Sequence, residues 1–128
     1  MTLRGFLTVA SLVAFVFGVC FVVMPGDLSM FYDVVLNPGG ILIAQLFGAA
    51  LIGFGVLNWL ARGVKDSQGI RSIISANLIA NALGFFLALF GQLARVGGVN
   101  QLGWSTVAIY FLLTLGFLSF RFSRASAS

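Results

Sequence analysis

Apolar residues gather in four long runs, at about 5–24, 40–61, 70–93 and 102–120, and polar residues fill the short stretches between them. At 1.5 Å per residue, each run wound as a helix reaches across the ~30 Å of hydrocarbon in a bilayer. The breaks are local. Pro25-Gly26 stops the first run, and Asn37-Pro38-Gly39-Gly40 opens the second. Arg62-Gly63 ends the second, and Val96-Gly97-Gly98 with Asn100 turns the third into the fourth. Four spans in 128 residues leave no room for a soluble domain. The expected fold is all-α integral membrane, an antiparallel four-transmembrane-helix bundle, with 1–128 as a single transmembrane domain.

Charge gives the expected direction. Arg4, Arg62, Lys65, Arg71, Arg121 and Arg124 fall on one side of such a bundle, and Arg95 falls on the other with Asp27 and Asp33. Basic residues concentrate on the cytoplasmic side of membrane proteins, so both termini are expected to be cytoplasmic. Tyr32 and Trp104 then lie at the outer interface and Trp59 at the inner one, where amphipathic rings are favoured.

Composition mainly removes chemistry. The chain is 60% apolar and 8% charged, with a net charge of +4, against ~25% charge in an ordinary soluble domain. That speaks against a soluble domain, a disordered chain, a disulfide scaffold and a nucleic-acid partner. Without His or Glu, and with the three Asp outside the spans, no metal-ligand cluster or catalytic triad is expected. Asp27 and Asp33 read as solvated loop carboxylates rather than an acid/base pair. No catalytic residue, cofactor or metal is assigned, and the protein is expected not to be an enzyme.

Two features of the first run invite other readings. Arg4 before an apolar run resembles a signal peptide, but the run is long for one and no A-x-A site follows. Cys20 follows Phe17-Gly18-Val19, where lipidation requires a small residue just before the Cys, so it reads as a buried apolar thiol. The following segment, DLSMFYDVV (27–35), is expected outside the membrane, with Asp27 capping a short helix. Leu28, Phe31, Tyr32 and Val35 recur at helical spacing, as in an interfacial connector or a lid over a bundle cavity.

The third run holds most of the intramembrane polarity. With Asn77 at zero and ~100° per residue, Asn81 falls near ~40°, Gly84 near ~340°, Ala88 near ~20° and Gln92 near ~60°. Ile79, Leu83, Phe86 and Phe90 occupy the opposite, lipid-facing side. An amide without a partner at mid-membrane costs several kcal/mol, so the stripe must face protein or water. Two roles compete. In one, the ladder Ser72, Ala76, Ala80, Gly84, Ala88 makes the principal helix-packing seam, with amides bonding between helices. In the other, Asn77, Asn81 and Gln92 line a path or cavity for a small neutral or anionic solute.

The second run carries Gln45, Ala49, Ile52 and Val56 on one face, beside a strip of Ala44, Gly48 and Gly55. In a hairpin turning near Ser67-Gln68, Gln45 is level with Gln92 and Asn58 with Asn77. Asn58 points ~140° from Gln45, so rotation argues against both amide pairs forming in one straight interface. Thr8, Ser11, Phe15 and Gly18 share a face of the first run, whose hydroxyls can bond the preceding turn. Tyr110 is the only phenol inside a span, suited to a helix-to-helix hydrogen bond or to the headgroup of a quinone or carotenoid.

At QLFGAALIGFGVLNWLAR (45–62), NLIANALGF (77–85) and LGWSTVAIYFLL (102–113), the chain resembles small bacterial four-helix inner-membrane proteins of the DoxX-like and domain-of-unknown-function type. The resemblance implies a compact bundle in a bacterial inner (cytoplasmic) membrane. Some DoxX relatives are linked to quinone-coupled sulfur oxidation, but no motif here carries redox residues across. The leading expectation is a non-enzymatic accessory or oligomeric bundle in the lipid bilayer, a homo-oligomer or a subunit of a larger membrane complex. The rival is a channel, carrier or quinone-like lipophile binder using the same residues.

Overall fold

A computed structural model describes residues 1–127, with side chains as far as Ser123; the expected cytoplasmic charge on Arg124 lies outside the described side chains. The helices are α1 (Leu3–Val23), a short α2 (Pro25–Phe31), α3 (Pro38–Ala61), α4 (Ser67–Leu93) and α5 (Gly103–Ala127), with a 3-10 turn at Val96–Gly98. Four of them are long and apolar enough to cross a membrane, α5 by its stretch Gly103–Ser123. The protein is therefore an all-α, multi-pass membrane protein by length and composition.

The helix starts follow from short-range chemistry. Thr2, Asn37 and Asp66 each accept a hydrogen bond from the backbone N–H three residues on, at 3.0, 2.7 and 2.9 Å. Two boundaries differ from expectation. Asp27 does not cap α2: the cap position is Met24, Pro25 is the first helical residue, and Asp27 sits in the first turn. Proline's fixed φ starts the helix earlier than the carboxylate would. The α3–α4 hairpin also turns before Ser67-Gln68, because Asp66 starts α4 at Ser67. Hydropathy locates the hydrocarbon; capping locates the hydrogen-bond ladder.

The four long helices associate as two pairs. Helix α1 lies along α3 and α4 along α5, while α1 meets α5, and α3 meets α4, over only short stretches. Where Arg4, Arg62, Lys65, Arg71 and Arg121 cluster, here called the basic end, all four helices close on one apolar core. It contains Phe6, Leu7 and Ala10 from α1, Ala61 from α3, Ile70 and Ile74 from α4, and Phe117 from α5. The Phe6 and Phe117 rings meet edge to face at 4.8 Å. Ile79, Leu83, Phe86 and Phe90 all face outward, as the helical wheel requires.

The closest backbone approach is not on the third span. A Cβ added at Gly48 would stand 2.7 Å from the Gly18 carbonyl oxygen, and one at Gly55 would stand 3.0 Å from that of Ser11. The principal small-residue seam thus joins the first two spans. On α4, Ser72 and Ala76 are exposed, and Ala80 lines a cavity. A small-residue ladder permits close approach, but the partner must be small as well. Gly18 meets Gly48, whereas Gly84 on α4 meets the Tyr110 ring. Gly48→Ala is expected to cost about 1–3 kcal/mol through overpacking. Gly53→Ala, whose Cβ meets nothing within 4 Å, should be neutral or stabilising by up to about 1 kcal/mol. Equal unfolding free energies for the two variants in lipid bicelles would contradict the α1–α3 seam.

Candidate functional site

Between the basic-end core and α2 the two helix pairs separate around a cavity of about 220 Å³. Its walls are mainly aromatic and aliphatic, with Phe17 and Phe21 from α1, Phe47 and Phe54 from α3, and Phe117 from α5. Alanines 14, 50 and 80 leave the space those rings do not fill. A second cavity of about 330 Å³ lies toward α2, and Phe21, Tyr32 and Thr106 line both.

The cavity floor is an amide pair. Asn58 Nδ2 donates to Asn77 Oδ1 at 2.9 Å, and Asn77 Nδ2 donates back to Asn58 Oδ1 at 2.9 Å. Asn77 Nδ2 also reaches the Ile73 carbonyl at 3.0 Å. Both side chains are 2% exposed. A reciprocal pair satisfies the groups that would otherwise be stranded in hydrocarbon. It also fastens α3 to α4 where backbone contact between them is sparse. Of the two level amide pairs, this one forms.

The other two amides turn elsewhere, as the rotation on α3 requires. Gln45 donates from Nε2 to the Val22 carbonyl of α1 at 3.1 Å. Gln92 donates from Nε2 to the Asn100 carbonyl at 2.9 Å. Asn100 in turn joins the two pairs at the far end. Its backbone N–H donates to the Tyr32 carbonyl at 3.0 Å. Its Nδ2 donates to the Phe31 carbonyl and to Asp33 Oδ2, both at 3.2 Å. Asp33 adopts φ +60° just past α2, and Val34 N–H reaches back to the Ser29 carbonyl, a helix stop usually made by glycine. Leu28 and Tyr32 therefore face the second cavity, while Phe31 and Val35 are exposed. Helix α2 lies over that cavity rather than beside the bundle. Nothing in the sequence singles out Asn100 as a partner of α2 except its place in a turn.

Four side chains on the first cavity's wall, Asn81, Tyr110, Tyr32 and Thr106, carry a polar atom without a partner among the described residues. Asn81 Nδ2 donates to the Asn77 carbonyl at 2.8 Å, which leaves Asn81 Oδ1 unbonded. The Tyr110 ring packs on Gly84, and its hydroxyl has no hydrogen-bond partner. The expected helix-to-helix bond from Tyr110 is thus not made among the described residues; its backbone carbonyl accepts from Thr114 Oγ1 at 2.6 Å. No fully buried polar side-chain atom is unpaired among the described residues, so these four have surface to offer. Of the remaining candidate residues, Ala88 lines the second cavity with Gln92. The chain matches no known family model, no curated protein and no solved structure, and no family is identified for it.

Proposed function

We propose that this protein is a non-enzymatic membrane bundle that holds a small lipophilic molecule between its two helix pairs. The observation that carries the reading is the aromatic cavity, with unpartnered groups of Asn81, Tyr110, Tyr32 and Thr106 on its wall and a reciprocally bonded amide pair as its floor. Binding sites for small molecules are largely apolar with a few polar groups that fix orientation. The cavity supports a binder or carrier over a channel. At the basic end it meets the Asn58–Asn77 pair and the buried core of Phe6, Ile74 and Phe117. The amides of α4, the third span, bond within the chain, which weighs against that face as a contact between copies. An accessory or oligomeric role is the second reading, favoured by the exposed Ser72 and Ala76. The expected membrane is the bacterial inner membrane, on the DoxX-like resemblance, with the basic end in the cytoplasm by charge.

In lipid nanodiscs the protein should take up naphthalene at one molecule per chain, and Ala80→Phe, which fills the cavity, should abolish uptake without unfolding the protein. Equal uptake by both proteins would contradict the binding reading. For orientation, Lys65→Cys in a Cys20→Ser background should react with an impermeant maleimide only from the cytoplasmic side of cells; reaction from outside would reverse the topology.

A further inference from the structure

Two amides of α4 stand one helical turn apart with different chemistry left over. Both N–H donors of Asn77 are used, by Asn58 and the Ile73 carbonyl, and its oxygen already accepts from Asn58. Asn81 is half used. Its contact to the Asn77 carbonyl oxygen at 2.8 Å requires the NH2 group on that side, because two acceptors do not bond. The carboxamide oxygen is thereby fixed as a free acceptor, beside one unused N–H of the same group. Tyr110 faces the same cavity from α5, and its free hydroxyl both donates and accepts.

We infer that the occupant of this cavity is a flat one- or two-ring lipophile that bears a free hydroxyl, a lipophilic phenol or alcohol. The inference rests on the lipophile-binding reading above and adds the chemistry of the ligand. A hydroxyl supplies the donor that Asn81 Oδ1 calls for and can accept from the hydroxyl of Tyr110, Tyr32 or Thr106 on the same wall. A ketone or ether accepts from Tyr110 or another donor on the wall but gives Asn81 Oδ1 nothing, and an unmade bond to a desolvated acceptor is costly. An ammonium group has no carboxylate to meet, since Asp27, Asp33 and Asp66 all lie in the connections between the long helices. A carboxylate would face the Asn81 oxygen with a like partial charge. Size and shape agree. The volume of about 220 Å³ exceeds the roughly 150 Å³ that accommodates benzene in an engineered apolar cavity, and the walls present five phenylalanine rings.

The test uses three probes of one shape: 2-naphthol, 2-methoxynaphthalene and naphthalene, titrated calorimetrically into nanodiscs that hold the full chain, with protein-free nanodiscs subtracted. The methyl ether keeps the acceptor and removes the donor. The expected result is 2-naphthol bound roughly tenfold more tightly than the ether, the factor one net hydrogen bond gives. Asn81→Ala should reduce that preference to within about twofold. Tyr110→Phe, which removes one oxygen atom and keeps the packing on Gly84, should weaken both oxygen-bearing probes and leave naphthalene unchanged. If Asn81→Ala unfolds, the Tyr110→Phe pattern and the wild-type ratio still decide the matter. Equal affinity of wild type for naphthol and ether overturns the hydroxyl assignment and leaves lipophile binding standing. Failure of all three probes to bind overturns both.

Discussion

A carboxamide held at membrane depth must find its hydrogen bonds inside the protein, because hydrocarbon supplies none. The reciprocal Asn58–Asn77 pair meets that constraint for two helices at once, with each amide serving as the other's donor and acceptor. Much of the architecture follows from where this pair sits. It ties α3 to α4, the consecutive spans whose backbones stay apart. It lies beside the apolar core at the basic end and floors the cavity above. In a membrane such a bond is worth only about 0.6–1.7 kcal/mol. The larger effect is on specificity, since any register that separates the two amides strands both.

The two seams divide the work of holding the bundle. Between α1 and α3 the helices are in close contact, with Gly18 and Gly48 opposed, and little space remains for side chains. Between α4 and α5 a ring fills the groove, Tyr110 against Gly84. The pairs themselves are joined at their ends: by the Phe6–Phe117 core and the amide pair at one end, and by Asn100 with α2 at the other. Attachment at both ends with slack between them leaves a cavity between the two helix pairs. Phenylalanines and alanines on its walls make it apolar, and under the proposed function Asn81 and Tyr110 would make it selective.

Hydropathy and helical geometry made the spans, the outward face of α4 and the inward amide stripe legible, because each depends on residues within a few turns of one another. The depth match of Asn58 with Asn77 was legible too, and so was the misfit in rotation that sends Gln45 to the Val22 carbonyl instead. What depends on two helices at once was not. The ladder on α4 looked like the main seam because its small residues recur every fourth position, yet the partner decides, and α5 opposes it with a tyrosine. Asp27 looked like a cap until Pro25 set the helix start. The link from Asn100 to Tyr32, Phe31 and Asp33 spans more than sixty positions of chain and has no local signature.

The most direct measure of this account is a double-mutant cycle on the amide pair, with Asn58→Leu, Asn77→Leu and the combined variant unfolded reversibly in bicelles. Each single change strands one amide and should cost about 1–3 kcal/mol. The double change strands neither, so its cost should fall short of the sum by about 1–2 kcal/mol. Additive costs would mean that the two residues act independently and that the pair does not hold α3 to α4.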